Sequence, residues 1–98
     1  MASESAKDTT DLLWALANEH RLRILCLLEG GERSVSDLGQ HLDLSQSALS
    51  QHLARLRKAG IVATRREGVT IFYRIADQDA LALAKALSGL VAKRRGGG

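Results

Sequence analysis

The chain has a single cysteine, Cys26, among its 98 residues, so no internal disulfide can staple it. With no export signal at the N-terminus, that scarcity points to a reducing, cytoplasmic setting. No stretch approaches the roughly 20 consecutive apolar residues of a membrane span, so a membrane is not an expected partner. Only Trp14, Phe72 and Tyr73 are aromatic. The core must therefore be built from Leu, Ile, Val and Ala, which suits close-packed helices. Hydrophobic residues make up 45% of the chain, enough for a core. A chain of this size nevertheless buries only about two-thirds of the surface its unfolded form exposes, and it would gain from a partner subunit.

What is present has an order. Residues 1–8 are small and polar and are expected to form a disordered tail. A helix is expected through TTDLLWALA, with Leu12, Leu13, Leu16 and Ala17 along one face. Asn18 is placed to cap a second helix, EHRLRILCLLE, in which Arg21, Ile24, Leu25 and Leu28 share a face before Gly30-Gly31 stops it. Ser34 to Asp37 has the form of a capping box and opens a short third helix with Val35, Leu38 and Leu42 inward. Only Asp43 and Leu44 separate it from Ser45, the cap of a longer fourth helix that Gly60 ends. Two helices joined so tightly outline a helix-turn-helix.

Beyond Gly60 the helical period gives way to alternation. IVATRREGVTIFYRI alternates about a Glu67-Gly68 tip, with Val69, Ile71, Tyr73 and Ile75 on one side and Thr70, Phe72 and Arg74 on the other. That pattern predicts a β-hairpin. Asp77 can cap a last helix whose Ala80, Ala84, Leu87 and Val91 form a stripe widened by Leu83 and Leu90. Residues 93–98, KRRGGG, are expected to be a flexible basic tail. The expected architecture is one domain over 9–92, mainly helical with a β-hairpin wing: four helices, two strands and a fifth helix.

The fourth helix carries the sharpest functional signal. With Leu49, Leu53 and Leu56 inward, Ser47, Ser50, Gln51, Ala54, Arg55 and Lys58 face outward, and Gln46 projects from the first turn. The early outward positions are short and uncharged, and the later ones are cationic. No acidic residue lies between Ser45 and Lys58. A merely solvated helix would carry Glu and Lys four residues apart instead. A helix entering the major groove of DNA needs this distribution, because short polar groups reach base edges, Gln can bond adenine with two hydrogen bonds, and flanking cations meet phosphate. Charge along the chain agrees: residues 1–33 carry four Lys and Arg against six Asp and Glu, whereas residues 34–98 carry ten against five. The expected DNA-contacting set is Ser45, Gln46, Ser47, Ser50, Gln51, His52 and Arg55 from the helix, with Arg65, Arg66, Thr70 and Arg74 from the hairpin. The bland alternative for the hairpin arginines is protection of an edge strand.

Other classes find little support. Ser50 and His52, two apart on a helix, point in different directions and make no catalytic pair. EGGER lacks the spacing and the Lys-Ser/Thr ending of a phosphate loop. An interaction module would show acidic or apolar residues on the outward face of the fourth helix, where this chain has the opposite. His20, His41 and His52 have no metal-ligand spacing, so no metal and no cofactor are expected.

At this point the chain resembles the ArsR/SmtB-type repressors, small winged helix-turn-helix proteins of bacteria. The residues that carry the resemblance are LANEHRLRIL, SVSDL, LSQSALSQHLARLRKAGIVATRREG and TIFYRI, within Leu12 to Val91. It implies a homodimer held by the first and last helices, bound to double-stranded DNA at an operator with two-fold symmetry and released by an inducer the sequence does not identify. It implies a cytoplasmic, nucleoid-associated protein. Leu12, Leu13, Leu16, Leu83, Leu87, Leu90 and Val91 are the apolar residues placed to form that dimer interface, with intrachain core as the alternative. Arsenic-sensing members carry cysteines where this chain has Ser34 and Ser36, and zinc- and cobalt-sensing members use histidine on a last helix that here has none. The chain resembles most the sulfide- and persulfide-responsive branch, which also contains nodulation and haemolysin regulators. Sensors there pair a cysteine on the second helix, matched by Cys26, with one near the end of the last, where Ala92 stands. One thiol cannot close the intrasubunit bridge. Three roles stay open for Cys26: a packing residue, a candidate one-thiol sensor, or a remnant of the pair.

Overall fold

The computed structural model describes the backbone of residues 2–96 and the side chains of residues 9–94. The elements run α1 (Ala2–Leu16), α2 (Glu19–Leu28), β1 (Arg33–Ser34), α3 (Val35–His41), α4 (Gln46–Lys58), β2 (Val62–Glu67), β3 (Thr70–Ile75) and α5 (Gln78–Gly96). The strands form one antiparallel sheet in the order β1-β3-β2.

The expected cap residues start four of the five helices. Asn18 accepts the backbone N–H groups of His20 and Arg21 at 2.9 and 3.1 Å. Ser34, Ser45 and Asp77 accept those of Asp37, Ala48 and Ala80 at 3.0, 3.0 and 3.1 Å. Each such cap satisfies an amide that the helix leaves without a partner, an effect of about 1 kcal/mol. The capping box is only half made. The Asp37 carboxylate pairs with Arg33 at 2.6 Å instead of turning back to Ser34.

At the centre lies α2, whose Leu22, Ile24, Leu25 and Leu28 are buried and which packs on α1, α4, α5 and β3. Around it close Leu38 of α3, Leu49, Leu53 and Leu56 of α4, Ile61, Val62, and Ala80, Leu81 and Ala84 of α5. Burying each large aliphatic side chain contributes about 1.5–3 kcal/mol against the entropy of ordering the chain. The Ile61 carbonyl accepts the amides of Ala76 and Asp77 at 2.9 and 3.2 Å, so the open end of the hairpin is fixed to the end of α4. The fourth helix is therefore held firmly on one side and bare on the other.

Four details depart from the sequence reading. The two-residue strand β1, pairing Arg33 with Tyr73 and Ser34 with Phe72, was not expected, because two residues cannot display a period. The helical backbone of α1 begins at Ala2, inside the expected tail 1–8. That of α5 continues through Lys93 and Arg94 to Gly96, inside the expected tail 93–98, whose last two glycines lie outside the described residues. The hairpin tip is Gly68-Val69 rather than Glu67-Gly68, since Glu67 pairs with Thr70. Gly68, at φ +63°, supplies the left-handed conformation such a two-residue turn requires. Val69 thereby leaves the inner stripe and is 99% exposed.

Candidate nucleic-acid interface

The exposed side of α4 is the one the leucine spacing defines. Leu49, Leu53 and Leu56 are at most 3% exposed. Ser45, Gln46, Ser47, Ser50, Gln51, Ala54, Arg55 and Lys58 are all exposed. Ser45 has a structural task as well, since its hydroxyl caps the helix at Ala48. No ion pair engages Arg55, Arg57 or Lys58 among the described residues. Their charge is therefore available to an anion. Between α4 and the hairpin runs a groove of about 620 Å³, bordered by Ser50, Ala54, Arg57 and Lys58 on the helix and by Val69, Ile71 and Tyr73 on the hairpin. Sequence reasoning left out Arg57. The signal was there in the row Ser50, Ala54, Arg57, which keeps the i, i+4, i+7 spacing of one helix face.

His52 does not belong to that outward set. It is half-buried, its Nδ1 lies 3.2 Å from Nη1 of Arg21, and its ring centroid is 5.6 Å from that of His20. A guanidinium can only donate, so Nδ1 must accept and the His52 proton sits on Nε2. Burial first, then the charges of Arg21, His20 and Arg55, push the His52 pKa below the ordinary histidine value. Arg21 is only 7% exposed. It also donates to the carbonyls of Trp14 and Ala15 at the end of α1, which explains how a cation can occupy the buried face that the leucines share. Desolvation, then the like charge of Arg55, lowers its pKa from arginine's usual value. The leucine spacing itself does not place His52 among the outward positions; it enters the expected DNA-contacting set beside them.

Strand register sorts the expected hairpin contacts onto two faces. Residues directly opposite in an antiparallel pair share a face. Arg66 is opposite Ile71 and Thr64 opposite Tyr73, on the side that borders α4. Arg65 is opposite Phe72, Arg74 opposite Ala63, and Thr70 opposite Glu67, all on the other side. Arg65 is heavily engaged there. It pairs with Glu32 at 2.7 Å and Glu67 at 2.6 Å and lies 4.6 Å over the Phe72 ring. These hydrogen bonds raise its pKa above arginine's ordinary value and hold the Glu32 carboxyl below the usual carboxylate range. Arg74 donates to the Thr64 carbonyl at 3.4 Å. Of the hairpin arginines, Arg66 alone lies on the wing face that borders α4.

The remaining expected sites lie on α1, α2 and α5. A groove of about 760 Å³ between α1, α2 and α5 is lined by Leu13, Leu16, Leu22, Leu87 and Val91 among others. Leu13, Leu90 and Val91 are 49%, 48% and 38% exposed, while Leu12, Leu83 and Leu87 are half-buried against the core. Leu16 is a correction. At 1% exposed it is already consumed by its own subunit's core and has no surface left to offer a partner. Cys26 is half-buried, with Sγ 3.6 Å from the Ser88 hydroxyl of α5. Ala92 follows Ser88 by one helical turn on the wall of the same groove. Among the described residues no group of three or more His, Cys, Asp or Glu could hold a metal ion. No described helix is long and apolar enough to cross a membrane.

A helix-turn-helix whose second helix is bare on its polar side, followed by a hairpin that adds cations beside it, defines a winged helix-turn-helix. The sequence comparisons give the family. The model of the bacterial regulatory protein arsR family matches residues 18–64, from the cap of α2 into β2. The chain is 50% identical over 90 residues to the transcriptional activator HlyU of Vibrio cholerae serotype O1, covering 92% of this chain and 82% of that one. It is 49% identical over 82 residues to the biofilm growth-associated repressor of Agrobacterium fabrum, covering 84% and 70%. The homodimeric winged helix-turn-helix DNA-binding domain of a Mycobacterium bovis protein described as a possible ArsR-family transcriptional regulator superposes with a TM-score of 0.81 at 31% identity, covering 95% of this chain and 86% of that one. This chain belongs to the arsR family of bacterial regulatory proteins. It is a DNA-binding transcription regulator and not an enzyme.

Proposed function

We propose that the chain is a repressor that binds a pseudo-palindromic operator as a homodimer, joined through α1 and α5. The observation that carries this reading is the exposed side of α4, with Gln46, Ser47 and Ser50 ahead of Arg55, Arg57 and Lys58, which have no ion pair among the described residues. In the bound state the amide and hydroxyl groups read base edges in the major groove and the cations meet phosphate beside it. Arg66 adds a phosphate contact from the wing. Leu13, Leu90, Val91 and Trp14, which is 70% exposed, supply the apolar surface that a second copy covers. Two-fold symmetry then sets half-sites roughly 10 bp apart or a multiple of it. Such a protein resides with the chromosome in the cytoplasm. Cys26 enters as a packing residue against Ser88, and the regulator that follows needs no thiol chemistry.

Selection from random duplexes tests the reading. Wild-type protein should enrich an inverted repeat. Gln46→Ala and Ser47→Ala should relax base preference at one position per half-site, by about 1–3 kcal/mol each. Unchanged preference in both variants would show that the reading face has been misplaced. A monomer in sedimentation at concentrations that saturate DNA would remove the palindrome.

A further inference from the structure

The densest ion-pair cluster among the described residues sits on the outer face of the wing, around an arginine that the sequence offers to phosphate. Glu32 comes from the turn between α2 and β1, 33 positions before Arg65. Its carboxylate oxygens take Arg65 Nε at 3.1 and 3.1 Å and Nη2 at 2.7 Å. A phosphate would present oxygens to the same guanidinium edge in the same way. Glu67 takes Nη1 at 2.6 Å, and Phe72 covers one face of the group. Exposed ion pairs add little to stability. The consequence of the cluster lies in what it does to the charge of Arg65, because the neighbouring Arg66 has no ion pair among the described residues.

We propose that Glu32 is an internal decoy for Arg65: its carboxylate occupies the guanidinium edge that a DNA phosphate would take, withholds that arginine from indiscriminate backbone contact, and leaves affinity to the reading helix and Arg66. The inference rests on the DNA-binding reading of α4 and the wing, and it deepens that reading by naming a residue that limits sequence-independent affinity without touching DNA. Suppressing one sequence-independent contact lowers binding to every duplex, and the genome offers far more random sites than operators.

The test is binding of the full chain to a short random-sequence duplex across a salt series. Glu32→Gln keeps the side chain's size and removes its charge. A released Arg65 neutralises one more phosphate, so affinity should rise roughly 15-fold at about 50 mM salt and about 4-fold at about 200 mM, with the salt slope steeper by about 0.9. In an Arg65→Gln background the same Glu32→Gln change should give less than a twofold gain. Equal gains in both backgrounds would overturn the decoy, because loss of any acid would then have acted through long-range charge alone. A loss of affinity on Glu32→Gln would overturn it too, making Glu32 a strut that holds the wing in place. Should the wild-type chain retain no duplex even at the lowest salt, the DNA-binding reading itself falls and takes the decoy with it.

Discussion

The end of α4 and the hairpin look alike in the sequence: Arg55, Arg57 and Lys58 on one, Arg65, Arg66 and Arg74 on the other. The folded chain treats them differently. The helix cations have no ion pair among the described residues, whereas Arg65 is paired with Glu32 and Glu67 and lies over Phe72, and Arg74 leans on a backbone carbonyl. Glu67 could have been suspected from its place two residues away. Glu32 could not, since only the pairing of β1 with β3 carries the preceding turn to the wing. Counting arginines therefore does not tell how many of them are free of a carboxylate partner. What matters is whether a carboxylate from elsewhere in the chain reaches them first.

The comparison can be broken most severely from the helix side. Leu56→Ala removes a side chain that is 0% exposed beneath the reading face, and should lower stability by about 2–5 kcal/mol in chemical denaturation, with DNA binding lost in proportion to the unfolded fraction. A smaller effect separates the faces of the wing. Arg66→Ala should weaken binding to all duplexes and flatten the salt slope by about 0.9, while Arg65→Ala and Arg74→Ala change the slope by less than half as much. Equal slopes for the three would erase the distinction between the faces. Arg57→Ala should match Arg66→Ala, because Arg57 borders the groove between helix and wing and Arg66 lies opposite Ile71 on the wing face that lines it.

The smallest expected effect concerns pH. The His52 pKa is depressed in the folded chain, mainly by burial. The unfolded chain therefore takes up this proton first as pH falls. Stability from His52 is whole above the ordinary histidine pKa of about 6.5 and declines as pH drops from there towards the lower folded value. His52→Gln, which can still accept from Arg21, should flatten that part of the stability profile. A profile between about pH 7 and 5 that is the same for both proteins would leave His52 without a role in it.

Much of the fold was legible because its signals are local. Asn18, Ser34, Ser45 and Asp77 each cap a helix within three residues of themselves. The leucines of α4 fall on the buried side because helical geometry fixes their direction. Alternation along VTIFYRI told which residues share a face, and register bears this out for all but Val69, which the tight turn takes. The errors share a cause. His52 turned inward because Arg21 needed a partner from another helix, Leu16 vanished into the core because α2 lies against it, and β1 exists only by virtue of β3. None of these contacts leaves a period or a motif behind.

By itself, then, the sequence determined the elements, their caps and the bare polar side of α4, since each depends on residues within a turn or two of one another. Only the tertiary structure decided which cations are held by carboxylates, which face of the wing borders α4, and which apolar residues stay exposed on α1 and α5. Those outcomes turn on pairs far apart in the chain, Glu32 with Arg65 and Arg21 with His52, whose meeting is set by packing and strand register.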